Sequence, residues 1–253
     1  MDEPALTRDG YLSGRLFLHQ PRRGYRAGVD PVLLAASVPA RAGDSVLDLG
    51  CGVGAAALCL GVRVPGLTLA GLERQAEHAD LARRNASEAG LAMEVFTGDL
   101  TMMPPALRQL RFSHVIANPP YFRRDASLAG PDPAREAAYG EETPLSEWVA
   151  AAARRVAPGG TVTFIHRAER LPELMGAFAD RLGSLELKPL LPRRGRESQL
   201  ILLRGRKGGR APFRLHPGLV VHAGDSYGGR ADYTETAEAI LRHGAVLDFN
   251  TSV

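Results

Sequence analysis

From Ser45 onward, short apolar runs alternate with longer segments whose apolar residues recur at helical spacing. SVLDLG (45–50), LTLAGLE (67–73), MEVFTGD (93–99), FSHVIANPP (112–120) and TVTFIHR (161–167) read as strands. Between them, 54–63, the amphipathic stretch 77–90 closed by Gly90, 145–160 ended by Pro-Gly-Gly, and 170–182 read as helices. LELKPLLP (185–192) and QLILLRGR (199–206) read as a closing antiparallel hairpin. Strands alternating with helices predict an α/β fold, a parallel sheet with helices on both faces.

The flanks are less regular. Residues 1–10 read as disordered, and 11–20 as a short strand or hairpin. DPVLLAASV (30–38) reads as a helix with Asp30 as N-cap and Pro31 in its first position. After the last hairpin, DYTETAEAILRHGAVL contains a further helix. These boundaries suggest an N-terminal extension (1–41), a central domain (42–207) and a tail (208–253) packed on it. The connection from Tyr121 to Pro144 is long for a compact domain, which points to a lid or substrate loop.

Composition removes several classes. No run of about 18 uncharged apolar residues occurs, so no membrane-spanning helix is expected. MDEPALTRDG carries acids and a proline and no apolar run, unlike a secretory signal. Cys51 and Cys59 fit a reducing cytoplasm and lack metal-ligand spacing, and His216, His222 and His243 lack it too, so no metal is expected. The net charge is only +3, but Lys occurs only at 188 and 207 and arginines cluster at 22–26 and 193–210. Such clusters are either a solvated face or contacts to nucleic-acid phosphates.

The chemistry concentrates at the carboxyl ends of the expected strands. Asp48, Gly50, Cys51, Gly52 and Gly54 form a GxGxG turn preceded by an acid, a spacing distinct from the GxGxxG of dinucleotide folds. Glu73 ends the second strand, where a carboxylate can accept hydrogen bonds from two ribose hydroxyls. Asp99, followed by Leu100, ends the third and can meet an adenine amino group. Each acid alone fits a helix N-cap; three in register with a glycine-rich turn fit a nucleoside ligand. Together they resemble motifs I to III of class I methyltransferases dependent on S-adenosylmethionine (SAM). That resemblance implies a Rossmann-like, seven-stranded sheet with an antiparallel last hairpin, and SAM as cofactor.

The fourth strand ends in Asn118-Pro119-Pro120-Tyr121, which resembles motif IV of amino methyltransferases acting on adenine, cytosine, guanine or a glutamine amide. Each target is a conjugated NH2 and a poor nucleophile. The Asn118 side-chain carbonyl and the Pro119 backbone carbonyl can grip its two hydrogens. Tyr121 offers a flat face for a base, and Asn118 also borders the expected cofactor.

Upstream, Gly24 to Leu34 resembles the segment before motif I in bacterial tRNA1(Val) (adenine-N6)-methyltransferases. The resemblance implies Gly28 and Asp30 as cofactor contacts, Arg123 and Arg135 as substrate contacts in the following loop, and RNA, tRNA in the first instance, as partner. Little chain lies outside the sheet for a DNA target-recognition domain, for the N-terminal helical domain of glutamine methyltransferases, or for the duplicated domain of guanine-N2 enzymes. Protein-glutamine or ribosomal RNA guanine-N2 methylation, and a non-catalytic SAM- or RNA-binding module, stay open as alternatives.

Overall fold

The computed structural model describes residues 6–24, 26–123, 140–141, 143–224 and 232–250. The chain opens with an antiparallel hairpin of β1 (Leu6–Tyr11) and β2 (Leu16–Pro21). Part of the stretch expected to be disordered is therefore paired. Its polar residues have partners across the hairpin, where Gln20 Nε2 donates to Asp9 at 2.9 Å. Local sequence pattern does not reveal such pairings.

The alternating region folds in the expected rhythm. It runs through α1 (Asp30–Ser37), β3 (Ser45–Leu49), α2 (Ala55–Arg63), β4 (Thr68–Glu73), α3 (Ala76–Glu88), β5 (Met93–Thr97), α4 (Pro105–Gln109) and β6 (Phe112–Ala117). Two two-residue strands, β7 (Phe122–Arg123) and β8 (Gly140–Glu141), pair with each other. Then come α5 (Leu145–Arg155), β9 (Val156–Arg167), α6 (Leu171–Ala179), β10 (Gly183–Leu191) and β11 (Leu200–Arg206). The fifth helix stops at Arg155, five residues short of the expected Gly160, and β9 starts at once. Pro158 has no N–H to donate and disfavours helical geometry at Ala157, so the chain leaves the helix early.

The main sheet runs β10-β11-β9-β6-β3-β4-β5, with β11 antiparallel to both neighbours and the other pairings parallel. These are the seven expected strands. The tail lengthens the sheet: β12 (Arg214–Leu215) and β13 (Leu219–Val220) each pair parallel with β10. Side chains alternate between two buried layers. Val46, Leu69, Ile116, Ile165 and Leu202 face α1, α2 and the tail helix α7 (Glu235–His243). Leu47, Leu72, Val115, Phe164 and Leu203 face α5 and α6.

The tail docks through a mixed contact. Phe249 is 1% exposed, with the Arg204 guanidinium 4.1 Å from its ring centroid and His216 against its edge. Its carbonyl accepts the Lys188 ammonium at 3.1 Å, which gives a buried cation a partner. Burial outweighs the nearby Asp248 and lowers the Lys188 pKa. Phe249→Ala should cost about 3 kcal/mol or more in chemical denaturation, whereas Phe213→Ala, at a half-exposed ring, should cost little; equal losses would rule out this anchor.

Candidate active site

Parallel pairing brings four strand ends to one place. Leu49 of β3 lies beside Leu72 of β4 and Ala117 of β6, and Glu73 of β4 lies beside Thr97 of β5. The residues that follow these ends, together with Asp48 and Glu73, line one cleft. Asp48, Gly50, Cys51, Gly52, Glu73, Asp99, Leu100, Asn118, Pro119, Pro120 and Tyr121 all border it. Gly28, Asp30 and Gly54 are not in the lining. Gly54 instead caps the start of α2, and Gly28 is exposed with open space around its Cα. Arg123 lies in β7, with its side chain outside the described structure, and Arg135 lies outside the described residues.

The glycine turn is locked from two sides. Gly50 N–H and Cys51 N–H both donate to the Leu72 carbonyl, at 2.7 and 3.0 Å. Gly52 N–H donates to Glu73 Oε2 at 2.9 Å, and Gln75 N–H to Glu73 Oε1 at 2.8 Å. Glu73 thus braces the turn, and each oxygen keeps a second lone pair for a ligand hydroxyl. Gly50 has φ +67°, and a Cβ there would fall 2.5 Å from the Trp148 ring. That position excludes any side chain on grounds of both conformation and space.

Asp48 is buried, with Oδ2 accepting from Ala57 N–H at 3.3 Å. Burial, reinforced by the Glu73 charge and opposed by that hydrogen bond, pushes its pKa up to about 7. Asp99 behaves oppositely. The Thr101 hydroxyl and amide donate to Oδ1 at 2.6 and 2.7 Å, and they hold its carboxyl below the usual range. The Cys51 thiol is buried and pushed well up by that burial, so it is no nucleophile.

Asp30 departs from its expected capping role. It is the first residue of α1, and its carboxylate does not cap the helix. It accepts the Tyr121 hydroxyl at 2.6 Å instead. Burial raises its pKa against the opposing effects of that bond and of Arg167. The Tyr121 and His166 rings meet in a T-shaped contact, at 5.4 Å between centroids and 65° between planes. His166 is fully buried, and its Nδ1 accepts from Arg167 N–H at 2.8 Å. Burial, with the charge of Arg170, pushes it down to about 4, so the ring is neutral.

Sequence reasoning missed the supports of this cleft. Gln20, buried on β2, accepts Ala27 N–H at 2.8 Å, while the Tyr11 hydroxyl donates to the Ala27 carbonyl. The hairpin thereby holds Ala27 over the cleft, which it lines. Asn85, fully buried on α3, joins His19 of β2 to the Val53 carbonyl of the glycine turn. Its buried position on an amphipathic helix was the one available signal. Trp148 of α5 also lines the cleft, and its buried indole N–H has no acceptor among the described residues. A ligand acceptor would satisfy that donor.

The titration of Asp48 has a measurable consequence. A carboxyl moving from 3.8 in the unfolded chain to about 7 in the fold takes up a proton on folding between these values. Stability therefore falls as pH rises through that window, by on the order of 1 kcal/mol per unit, and the full penalty persists above it. In ligand-free protein, Asp48→Asn should flatten the fall in Tm between these pH values; an unchanged slope would place the burial penalty elsewhere.

Comparisons with known proteins identify the family. The methyltransferase small domain family matches residues 27–178, more than half of the chain. The chain is 30% identical to a tRNA1(Val) (adenine(37)-N6)-methyltransferase of Porphyromonas gingivalis, over 84% of this chain and 88% of that one. It is 31% identical to the protein of the same name from Cronobacter sakazakii, over 70% and 71%. Among solved structures, a predicted O-methyltransferase of Agrobacterium tumefaciens superposes with a TM-score of 0.68 at 27% identity, over 86% of this chain and 98% of that one. The chain belongs to the methyltransferase small domain family and is a SAM-dependent methyltransferase.

Proposed function

We propose that this enzyme methylates the exocyclic amino group of a nucleobase, adenine N6 in tRNA. The observation that carries this reading is Asn118-Pro119-Pro120-Tyr121 lining the same cleft as the glycine turn, Glu73 and Asp99. The relatives from P. gingivalis and C. sakazakii are named for that substrate, which supports the same reading. The A. tumefaciens protein is described as acting on oxygen, but two adjacent carbonyl acceptors suit a group with two hydrogens rather than a hydroxyl.

The cleft fits SAM in its donor set. The lone pairs left on Glu73 suit ribose hydroxyls. Asp99 and Leu100 border the place for adenine, and the Gly50–Val53 part of the turn, which lines the cleft, borders the place for the methionine part. Bound SAM supplies a methyl group on a positively charged sulfur. The protein's own part concerns the amino nitrogen. The Asn118 and Pro119 carbonyls accept its two hydrogens, weaken conjugation with the ring and aim the lone pair. Their dipoles also stabilise the positive charge that develops on nitrogen. Methylation makes that nitrogen strongly acidic, so its surplus proton leaves to water without a dedicated base.

Tyr121 presents the face on which the base would stack, worth roughly 1–3 kcal/mol. The Asp30 bond and the T-shaped contact with His166 fix the ring plane. A target base inside a stack must swing out to reach it.

Labelled methyl transfer from SAM to unmodified tRNA, followed by nucleoside analysis, should give N6-methyladenosine. Label in a protein fraction would favour a glutamine side chain instead, and N2-methylguanosine in ribosomal RNA would favour guanine. Asn118→Ala should lower kcat by roughly 100-fold or more while SAM binding, read by calorimetry, stays close to that of the unaltered enzyme; retained turnover would remove Asn118 from this role.

A further inference from the structure

The arginines that sequence reading grouped at 193–210 are divided by the fold. The sheet register decides it. Leu200, at the start of β11, pairs with Arg167 at the carboxyl end of β9, while Arg206 pairs with Thr161. Ala117, the last residue of β6 before Asn118, pairs with Phe164, and His114 with Thr161. The β10–β11 connection, with Arg194 and Arg196, therefore lies at the end of the sheet that carries the cleft. Arg206, Lys207 and Arg210 lie at the opposite end, about 20 Å away at the rise of a strand.

The individual cations also differ in employment. Lys207 donates to the Ala153 carbonyl, and Arg204 pairs with Glu186. Arg193 is buried and paired with Asp232. Arg194 and Arg196 are exposed and make no ion pair among the described residues. Arg196 lines a groove together with Arg167, Ser198, Gln199 and two acids, Glu169 and Glu197. The groove is open to solvent along its length, with a volume of about 1210 Å³. It neighbours the active site through the start of α1. Val29 borders it, and Arg167 acts electrostatically on Asp30, which holds Tyr121.

We propose that this groove carries the sugar–phosphate backbone of the RNA flanking the target base, with Arg196, which lines it, and Arg194, exposed beside it on the β10–β11 connection, as the phosphate contacts. The proposal rests on the RNA reading given above. Exposed guanidiniums with no acid partner suit phosphate oxygens, which accept two parallel hydrogen bonds. Phosphate contacts of this kind set register and affinity and carry no sequence information. Glu197, on the same rim, opposes them.

The test is binding of unmodified transcribed tRNA across a salt series, with methyl transfer measured in parallel. The double variant Arg194→Ala/Arg196→Ala should bind about tenfold more weakly and lower the salt slope by about 2, roughly one per lost contact. Its KM for tRNA should rise at unchanged kcat. Glu197→Gln should tighten binding. Arg206→Ala/Arg210→Ala, at the far end, should change neither affinity nor slope. Circular dichroism and SAM binding serve as the check that each variant is folded. Unaltered binding in the Arg194/Arg196 variant, or an equal loss in the far pair, would overturn the groove assignment alone. Absence of salt-dependent RNA binding by the unaltered protein would overturn the RNA reading and this inference with it.

Discussion

The parallel pairing of β3 between β4 and β6 governs everything else in this molecule. Parallel strands must end on the same side, so the chain leaves each one at the same edge and returns by a helix. Leu49, Leu72 and Ala117 are laterally aligned, and the residues just beyond them are forced into one space. A glycine turn, three carboxylates and an Asn-Pro-Pro-Tyr segment, far apart in sequence, become the walls of one cleft because parallel pairing, extended from β4 to β5, ends their strands at one edge.

Within the cleft, hydrogen bonds to the backbone fix what the sheet brings together. Glu73 binds Gly52 N–H and Gln75 N–H, and the Leu72 carbonyl binds the first two amides of the turn. These contacts preorganise the turn before any ligand arrives. Trp148 then closes on Gly50 so tightly that a single methyl group would collide with its ring. A second set of supports comes from the N-terminal hairpin, where Gln20 and Tyr11 hold Ala27 by both its amide and its carbonyl. Asp30 continues the chain of contacts to Tyr121. The segment ahead of the glycine turn is thereby coupled to the segment that would handle the substrate, and a shift in either is felt by the other.

Electrostatics separates residues that look equivalent in sequence. Asp48 and Asp99 both sit at strand ends, yet burial pushes one up to about 7 while the hydroxyl and amide of Thr101 hold the other low. The arginines divide in a similar way. Those that meet Glu186, Asp232 or a backbone carbonyl hold the fold together, and those left exposed at the carboxyl edge are available to an outside anion.

The order of strands and helices, the glycine turn, the acids at 48, 73 and 99 and the segment 118–121 were legible in the sequence, because each depends on local pattern. Apolar periodicity marks the elements, and the turn residues mark their ends. The early end of α5 at Arg155 was readable in principle from Pro158, but the apolar run through Val156 masked it. What the sequence did not disclose depends on pairings between distant residues. The strand formed by 6–11, the tail strands added beside β10, the Asp30–Tyr121 bond, the buried supports Gln20, Asn85, Trp148 and His166, and the division of the arginines are all of this kind. Local sequence determines which element a residue joins; only the register of the folded sheet decides which residues from separate elements share an edge, and with that which charges are neutralised and which are left to bind.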